Sequence, residues 1–279
     1  MVMKPLSRRA RLLMLISLII LFFLILPMVI LYASGWRWQS GIGFVRTGGI
    51  SITIPHEGAV LFLDEEQVGS TGFLNRRFYV NDLIPGTYKI RVEKENYRNW
   101  EHSFVVEPQI VTDARAFLVP EKISLLRLIV GTSTATTTRV MDSRTYNSYV
   151  AAFSKPFATT TGEAYDISGD EHLFIEKGDV FVRWLNANVS PPSYFCGRPS
   201  YCKSEIAIER GKQTATGAAF FGGGVVYRTK GGGVFIGESI ILPAAVQASI
   251  YSRSGSDFRI LDGNLIVKDG RNLYQVTGL

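Results

Sequence analysis

The first 56 residues of this 279-residue chain lack aspartate and glutamate altogether. They hold six of the 30 basic residues, so the other 24 balance the 24 acidic residues that follow. A nucleic-acid-binding protein needs a basic surface on its folded part. Because the body after His56 is neutral overall, we expect no nucleic-acid partner. The positive charge instead surrounds a hydrophobic segment and indicates membrane topology.

The sequence also lacks the residue patterns of common catalytic and metal sites. The histidines, His56, His102 and His172, are too scattered to share a metal ion. No Gly-x-Ser-x-Gly nucleophile motif occurs. Two acidic clusters, residues 64–66 and 170–171, lie in predicted turns, where carboxylates are normally solvated. We therefore expect no metal, no cofactor, no catalytic residue and no enzymatic activity.

Cysteine is scarce, since the chain contains Cys196 and Cys202 alone. Two cysteines without a nearby histidine do not complete a tetrahedral zinc site. They lie close together in a segment with Pro and Gly, where a small loop can close in an oxidising compartment. A structural disulfide is predicted, and two free thiols are the alternative.

One long hydrophobic run extends from Leu12 to Ala33 without a charged side chain. Crossing the hydrocarbon core of a bilayer takes about 20 apolar residues. We therefore predict a cytoplasmic N-terminus over residues 1–11 and a transmembrane helix over residues 12–34. The predicted anchor residues are Leu12, Phe22, Pro27, Leu31, Trp36 and Trp38. The predicted topology charges are Lys4, Arg8, Arg9 and Arg11.

These charges come before the hydrophobic run, and two tryptophans follow it. Basic residues beside a spanning helix stay in the cytoplasm, and indole rings favour the membrane–water interface. The sequence therefore predicts a single-pass protein of the cell membrane, in contact with the lipid bilayer, whose C-terminal domain is extracytoplasmic. A cleaved signal peptide is the alternative. Its apolar part is normally about 7–15 residues long and ends at a small-x-small site, which Ala33-Ser34-Gly35 resembles loosely.

Short β-patterns separated by turns fill residues 49–120, after a Gly-rich stretch that predicts a linker at 35–48. Residues 50–54 and 88–93 alternate apolar and polar side chains, as half-buried strands do. Pro85-Gly86 between them is a strong turn signal. The segment therefore predicts a small antiparallel β-sandwich of roughly six or seven strands.

The same segment resembles the PEGA domain, a small β-sandwich of bacterial and archaeal surface proteins. The motifs that carry the resemblance are Gly58–Asp64, Val68–Thr71, Leu83–Lys94 and Tyr97. The sequence departs from the family pattern at Glu65, Gly72 and Asn96, where Gly, Pro and Gly are usual. Asparagine tolerates left-handed backbone geometry nearly as well as glycine does. The resemblance implies a fold and a surface location, and it supplies no catalytic residues.

Apolar runs around a tight glycine turn recur over residues 121–279. Three predicted hairpins cover residues 172–184, 225–236 and 265–276, and Asp262-Gly263 predicts a further turn. This spacing of about 40–55 residues is typical of propeller blades. The region resembles surface β-propellers, including the PEGA-plus-propeller surface proteins of small-genome bacteria. A closed propeller usually needs four or more blades. Since three hairpins are too few for a closed propeller, either a further hairpin lies within residues 124–157, or the array is open, or a partner completes it.

Together these patterns predict an all-β body, made of a small antiparallel sandwich and propeller-like hairpin repeats, behind one N-terminal transmembrane helix. The first functional hypothesis is a non-catalytic envelope or surface scaffold that binds a protein or a polysaccharide. The alternative is an envelope hydrolase that acts on cell-wall material from the propeller-like domain. A third option is assembly into a homo-oligomer through exposed strand edges. An enzyme would have a pocket with converging carboxylates and perturbed titration, whereas a scaffold would have an exposed apolar patch.

Overall fold

A computed structural model describes residues 7–157, 164–208, 214–242 and 245–279. The chain begins with helix α1 (Arg8–Ala33), whose first turn is capped by the Ser7 side chain. None of its residues is buried, and it continues through Pro27. Among the described residues, it is the one helix long and apolar enough to cross a membrane. The predicted topology charge Lys4 lies outside the described residues.

A β-hairpin follows the helix at once, in the segment predicted to be a linker. Strands β1 (Trp36–Gln39) and β2 (Gly43–Arg46) pair antiparallel. Gly41 and Gly43 in the turn have φ values of 89° and 94°, which glycine adopts without steric cost. The glycines that suggested an irregular linker therefore form a tight turn, and the aromatic residues beside them form the strands.

Two sheets face each other to form the predicted sandwich. The order is β6-β3-β9 in one sheet and β5-β4-β7-β8 in the other. One feature differs from the predicted antiparallel pattern, because β3 pairs parallel to β9. The strands are β3 (Gly48–Thr53), β4 (Val60–Leu63), β5 (Glu66–Ser70), β6 (Arg77–Leu83), β7 (Gly86–Glu93), β8 (Trp100–Val106) and β9 (Val111–Arg115).

The core of the sandwich follows the alternation read from the sequence. Ile50, Ile52, Ile90 and Val92 are fully buried. Glu65 has a φ of 69° and Asn96 a φ of 65°, which is the left-handed region. Glycine adopts this conformation without steric cost, which explains why the PEGA family pattern usually has glycine where this chain has Glu65 and Asn96.

Three further sheets make up the C-terminal region. Their orders are β12-β13-β14-β17, β18-β19-β20-β21 and β11-β10-β24-β23-β22, and a small pair, β15-β16, is inserted in the first. The strands before β18 are β10 (Ser124–Val130), β11 (Thr138–Met141), β12 (Asp166–Ser168), β13 (Glu171–Glu176), β14 (Asp179–Trp184), β15 (Cys196–Arg198), β16 (Tyr201–Cys202) and β17 (Glu205–Ile208). The others are β18 (Ala215–Phe221), β19 (Gly224–Thr229), β20 (Val234–Glu238), β21 (Gln247–Tyr251), β22 (Asp257–Leu261), β23 (Asn264–Asp269) and β24 (Asn272–Thr277).

The three predicted hairpins are confirmed as β13–β14, β19–β20 and β23–β24. The possible hairpin within residues 124–157 is wrong. There β10 and β11 pair parallel, and helix α2 (Ser143–Ala152) follows. Strand β10 instead pairs with β24 and so extends the last sheet with a segment from the start of the region. Over the described residues the sheets do not close into a barrel, and the propeller arrangement is not confirmed.

The sandwich and the C-terminal sheets share one hydrophobic core. A single cluster of buried residues joins Trp100 and Phe104 of the sandwich to Val226, Ile236 and other residues of the C-terminal sheets. Gly224 illustrates how closely the two parts approach. A Cβ atom there would lie 2.7 Å from the Phe117 ring and 2.6 Å from the Gly237 carbonyl oxygen. The residues after β9 thus pack directly on β19.

Candidate functional site

Helix α1 presents its apolar side chains to the outside along its whole length. Leu12 and Phe22 are 59% and 58% exposed, and Leu31 is 39% exposed. Arg8, Arg9 and Arg11 lie in the first turns and are likewise unburied. A helix in the core of a soluble protein would bury one face. The part of the chain that the structure describes therefore provides no covering for this apolar surface.

The C-terminal end of α1 is held to the sandwich by hydrogen bonds. The Gln109 side-chain amide donates to the Ser34 carbonyl at 2.9 Å, and the Thr47 backbone N–H donates to the Gly35 carbonyl at 2.9 Å. Gln109 also donates its backbone N–H to Thr47, at 2.9 Å. Carbonyls at a helix end have no partner within the helix. Here the Gln109 side chain satisfies the carbonyl of the C-cap residue Ser34, so the helix and the body meet without a free tether.

Arg37 adds a second connection at the same place. Its guanidinium lies 3.8 Å from the centre of the Tyr32 ring and donates to the Tyr32 carbonyl at 2.9 Å. It also pairs with Asp82 of the sandwich at 2.9 Å. One side chain therefore contacts α1 and the sandwich together. The predicted interface residues Trp36 and Trp38 lie on the other face of the same hairpin.

A buried carboxylate lies where the sandwich meets the C-terminal sheets. Glu238 on β20 is 3% exposed. Its Oε1 accepts from the Trp100 indole at 2.8 Å, and its Oε2 contacts His102 Nε2 at 2.9 Å and accepts from the Val246 N–H at 3.0 Å. A buried carboxylate is tolerated only when it is fully hydrogen-bonded. Both oxygens are occupied here, so Glu238 is suited to joining the two parts.

A cavity of about 340 Å³ opens beside this junction. Glu171 from β13 and Arg115 from β9 both line it, with the aromatic rings of Tyr194 and Phe221. Burial raises the pKa of Glu171, and the charge of Arg115 opposes this effect. The Tyr194 hydroxyl donates to the same carboxylate. The cavity therefore offers one carboxyl group with raised proton affinity and one exposed cation.

The lining of the cavity also includes Ser239. Its hydroxyl oxygen is inaccessible to solvent and has no hydrogen-bond partner among the described residues. Among the described lining residues the carboxylates are Glu171 and Glu238, and both oxygens of Glu238 already have hydrogen-bond partners.

The two cysteines lie at disulfide distance, with an S–S separation of 1.93 Å, as the sequence predicts. Their loop packs on the sandwich. Ser200 donates its backbone N–H and its hydroxyl to the two carboxylate oxygens of Glu107, at 2.9 and 2.8 Å. The loop thus forms a second contact between the sandwich and the C-terminal region.

Of the acidic clusters singled out from the sequence, residues 64–66 and Asp170 lie at the surface, whereas Glu171 lines the cavity. Glu65 pairs with Arg91 at 2.8 Å, and Asp170 accepts from the Asn186 amide at 3.2 Å. Over the parts of the chain that the structure describes, no three His, Cys, Asp or Glu side chains are grouped so that they could hold a metal ion.

Sequence reasoning missed Glu238, Gln109 and an exposed apolar pair, Phe73 and Leu74, in the loop between β5 and β6. Glu238 stands in an apolar stretch, Val234 to Ile241, where a lone acid is a signal of burial. Nothing in the sequence pairs it with Trp100, which is more than a hundred residues away. Gln109 lies in a loop and has no distinguishing neighbour.

Comparison with known proteins gives one family. Residues 47–122 match the family model of the PEGA domain, which confirms the resemblance seen in the sequence. No curated protein matches the chain. The match covers the sandwich and none of the C-terminal sheets beyond residue 122. The chain is thus a mostly β body that contains a PEGA-like domain and has an apolar helix at its N-terminal end.

Proposed function

We propose that this chain is a single-pass protein of the cell membrane, whose extracytoplasmic body is a non-catalytic binding or structural scaffold in the envelope. The observation that carries this proposal is the uncovered apolar helix α1 joined directly to a folded body. Lipid is the covering that suits such a helix, because the free energy falls when each exposed apolar side chain moves from water into lipid.

The charges favour one orientation. Arg8, Arg9 and Arg11 precede the helix, which supports a cytoplasmic N-terminus. The body then lies outside, where an oxidising compartment stabilises the pair Cys196–Cys202. The PEGA match is in agreement, since that family is found on surface proteins.

We interpret the three C-terminal sheets as propeller-like blades. Each contains a four-stranded antiparallel meander or its equivalent, and the last is completed by β10 from the start of the region. Blades of this kind present loops at both ends, which suits a protein or polysaccharide partner. The array would be an open one, or one that a second copy completes.

The sandwich contributes a surface that fits a scaffold. Phe73 and Leu74 are adjacent in the loop between β5 and β6 and are 80% and 92% exposed. The loop precedes Arg77, which pairs with Thr53 at the C-terminal end of β3. Helix α1 joins the body beside the N-terminal end of β3, so the loop and the helix lie at opposite ends of this sheet. An exposed apolar pair away from the membrane supports binding rather than catalysis.

Fractionation of cells that express the full chain tests the proposal. We expect the intact protein in membranes after alkaline extraction, with the body digested only by protease added from outside. Recovery of a soluble form cleaved near Ala33 would favour the signal-peptide alternative. Digestion of the body only from the cytoplasmic side would contradict the orientation.

One observation favours an envelope hydrolase as the second candidate, namely the cavity with Glu171, whose pKa is raised by burial. A carboxyl group of this kind is suited to donate a proton. Release of reducing ends from cell-wall polysaccharide, compared between wild type and Glu171→Gln, tests it. Release that is lost in the variant would support the hydrolase, whereas no release from either protein would support the scaffold.

A further inference from the structure

The outer face of the β1–β2 hairpin is aromatic and exposed. Trp38 pairs with Phe44 across the two strands, and their rings are 5.0 Å apart. They are 70% and 57% exposed, and Ile42 in the turn is 67% exposed. Side chains of paired residues point to the same side of a hairpin, and so do those two positions apart. Trp36 and Arg46 therefore share this face, with the Arg46 guanidinium 4.9 Å from the Trp36 ring.

The opposite face of the hairpin is attached to the body. Arg37 points to that side and pairs with Asp82 of the sandwich. The hairpin is flanked by the two backbone connections of Thr47, to Gly35 before it and to Gln109 in the sandwich. The aromatic face consequently has a fixed direction relative to both α1 and the sandwich.

The length of α1 places this face at the edge of the hydrocarbon layer. At 1.5 Å per residue the segment from Leu12 to Ala33 is about 33 Å long. The hydrocarbon core is about 30 Å thick and the whole bilayer about 40–45 Å. A hairpin that begins three residues after the helix end therefore emerges within the headgroup layer. Aromatic and arginine side chains are favourable in that layer.

We propose that Trp38, Ile42 and Phe44 insert into the headgroup layer on the outer side as a second lipid contact beside α1. Arg46, whose guanidinium also donates to the Gln109 side-chain oxygen at 3.4 Å, then lies at the depth of the phosphates. Because Arg37, Thr47 and Gln109 hold the hairpin, this contact sets the tilt of the body relative to the membrane. The inference rests on the proposed function, since it requires α1 to span the bilayer.

Lipid is favoured over a protein partner by continuity and by charge. The aromatic face continues directly from the surface of α1 that lipid would cover. Residues 35–56, which follow α1, have no acidic side chain, and Arg46 on the aromatic face supplies a positive charge that suits the phosphate groups of lipids. Insertion of a bulky aromatic face at this depth resembles the behaviour of interfacial amphipathic segments.

Spin labels on the full chain test the inference. The native cysteines are paired with each other, so a new cysteine is the single reactive thiol. We would label Phe44→Cys, Leu74→Cys and Leu21→Cys and reconstitute each protein in vesicles of phosphatidylcholine and phosphatidylglycerol. The collision rate of each label is measured with oxygen, which concentrates in lipid, and with a nickel chelate, which stays in water.

We expect the label at residue 44 to collide several-fold more often with oxygen, relative to the chelate, than the label at residue 74. The label at residue 21 should show the largest ratio. A ratio at residue 44 equal to that at residue 74, with residue 21 still in lipid, would overturn the hairpin contact and leave the anchor intact. Shielding of residue 44 from both reagents would mean a protein partner or a second copy and would also overturn it. A water-like result at residue 21 would contradict the proposed anchor itself.

Discussion

The sandwich meets its two neighbours in different ways. Towards α1 it uses exposed, mostly neutral contacts, such as the Gln109 amide on the Ser34 carbonyl. Towards the C-terminal sheets it uses a buried carboxylate, Glu238, within a shared hydrophobic core. The first junction fixes a direction at small energetic cost. At the second junction, a polar or charged group that loses its partner destabilises the fold strongly, because it is buried away from water.

Replacing Glu238 should give the largest effect on this comparison. Glu238→Ala leaves the Trp100 indole and His102 without their buried acceptor, so we expect a loss of about 3 kcal/mol or more in unfolding free energy. Urea unfolding of the full chain in mild detergent measures it. The exposed acid Glu66→Ala is the control, with an expected change within about 0.5 kcal/mol. An equal effect of both variants would remove the distinction between the two junctions.

Removing the disulfide should have the next largest effect. Cys196→Ser with Cys202→Ser frees a short loop, and we expect a loss of about 2 kcal/mol, because the unfolded chain is less constrained. Urea unfolding with and without reductant measures it, and reduced wild type should behave like the variant. Unchanged stability would mean that the loop contact through Ser200 and Glu107 does not depend on the bond.

At the other junction, Gln109→Ala should cost about 1 kcal/mol or less, since its contacts are exposed to water. The larger consequence should be a wider range of angles between α1 and the sandwich. Spin-label distances between Leu31→Cys and Leu74→Cys should broaden in this variant and stay narrow in the control Gln67→Ala, which alters an exposed glutamine on β5. Unbroadened distances would show that Arg37 and Thr47 hold the helix without Gln109.

The smallest effect concerns pH at the buried junction. Because burial raises the pKa of Glu171, the folded state binds more protons than the unfolded state above the ordinary value of 4.5. Stability should therefore fall as the pH rises from that value through the raised pKa. Glu171→Gln should flatten this slope while its amide oxygen still accepts from Tyr194. A slope that persists in the variant would assign the effect to another group.

The positions of the tight turns could be predicted from the sequence alone. Asp262-Gly263 and Lys177-Gly178 predict turns at the places where the backbone takes positive φ, and the flanking apolar runs became β22 to β24 and β13 to β14. Local backbone preference and side-chain alternation depend on neighbours only, so they can be read along the sequence. The hairpin at residues 36–46 was missed because its two strands are very short.

The long-range pairings could not be read in this way. Strand β3 pairs parallel to β9, and β10 pairs with β24 in the last sheet. Both pairings join strands that are far apart in the sequence. The same holds for Glu238, whose partners Trp100 and His102 belong to another part of the fold. A single sequence contains no signal that links such positions.

The sequence by itself determined the apolar helix, the charges that precede it, the PEGA-like strands and the three hairpins, because composition and short-range periodicity carry that information. Only the tertiary structure decided that the helix is fixed to the body, that the segment after it is a hairpin with an aromatic outer face, and that a buried carboxylate joins the sandwich to the C-terminal sheets. The fixed helix and the buried carboxylate depend on groups far apart in the chain, which become neighbours only on folding, and the local hairpin takes its outward direction from the contacts of Arg37 and Thr47 with its surroundings.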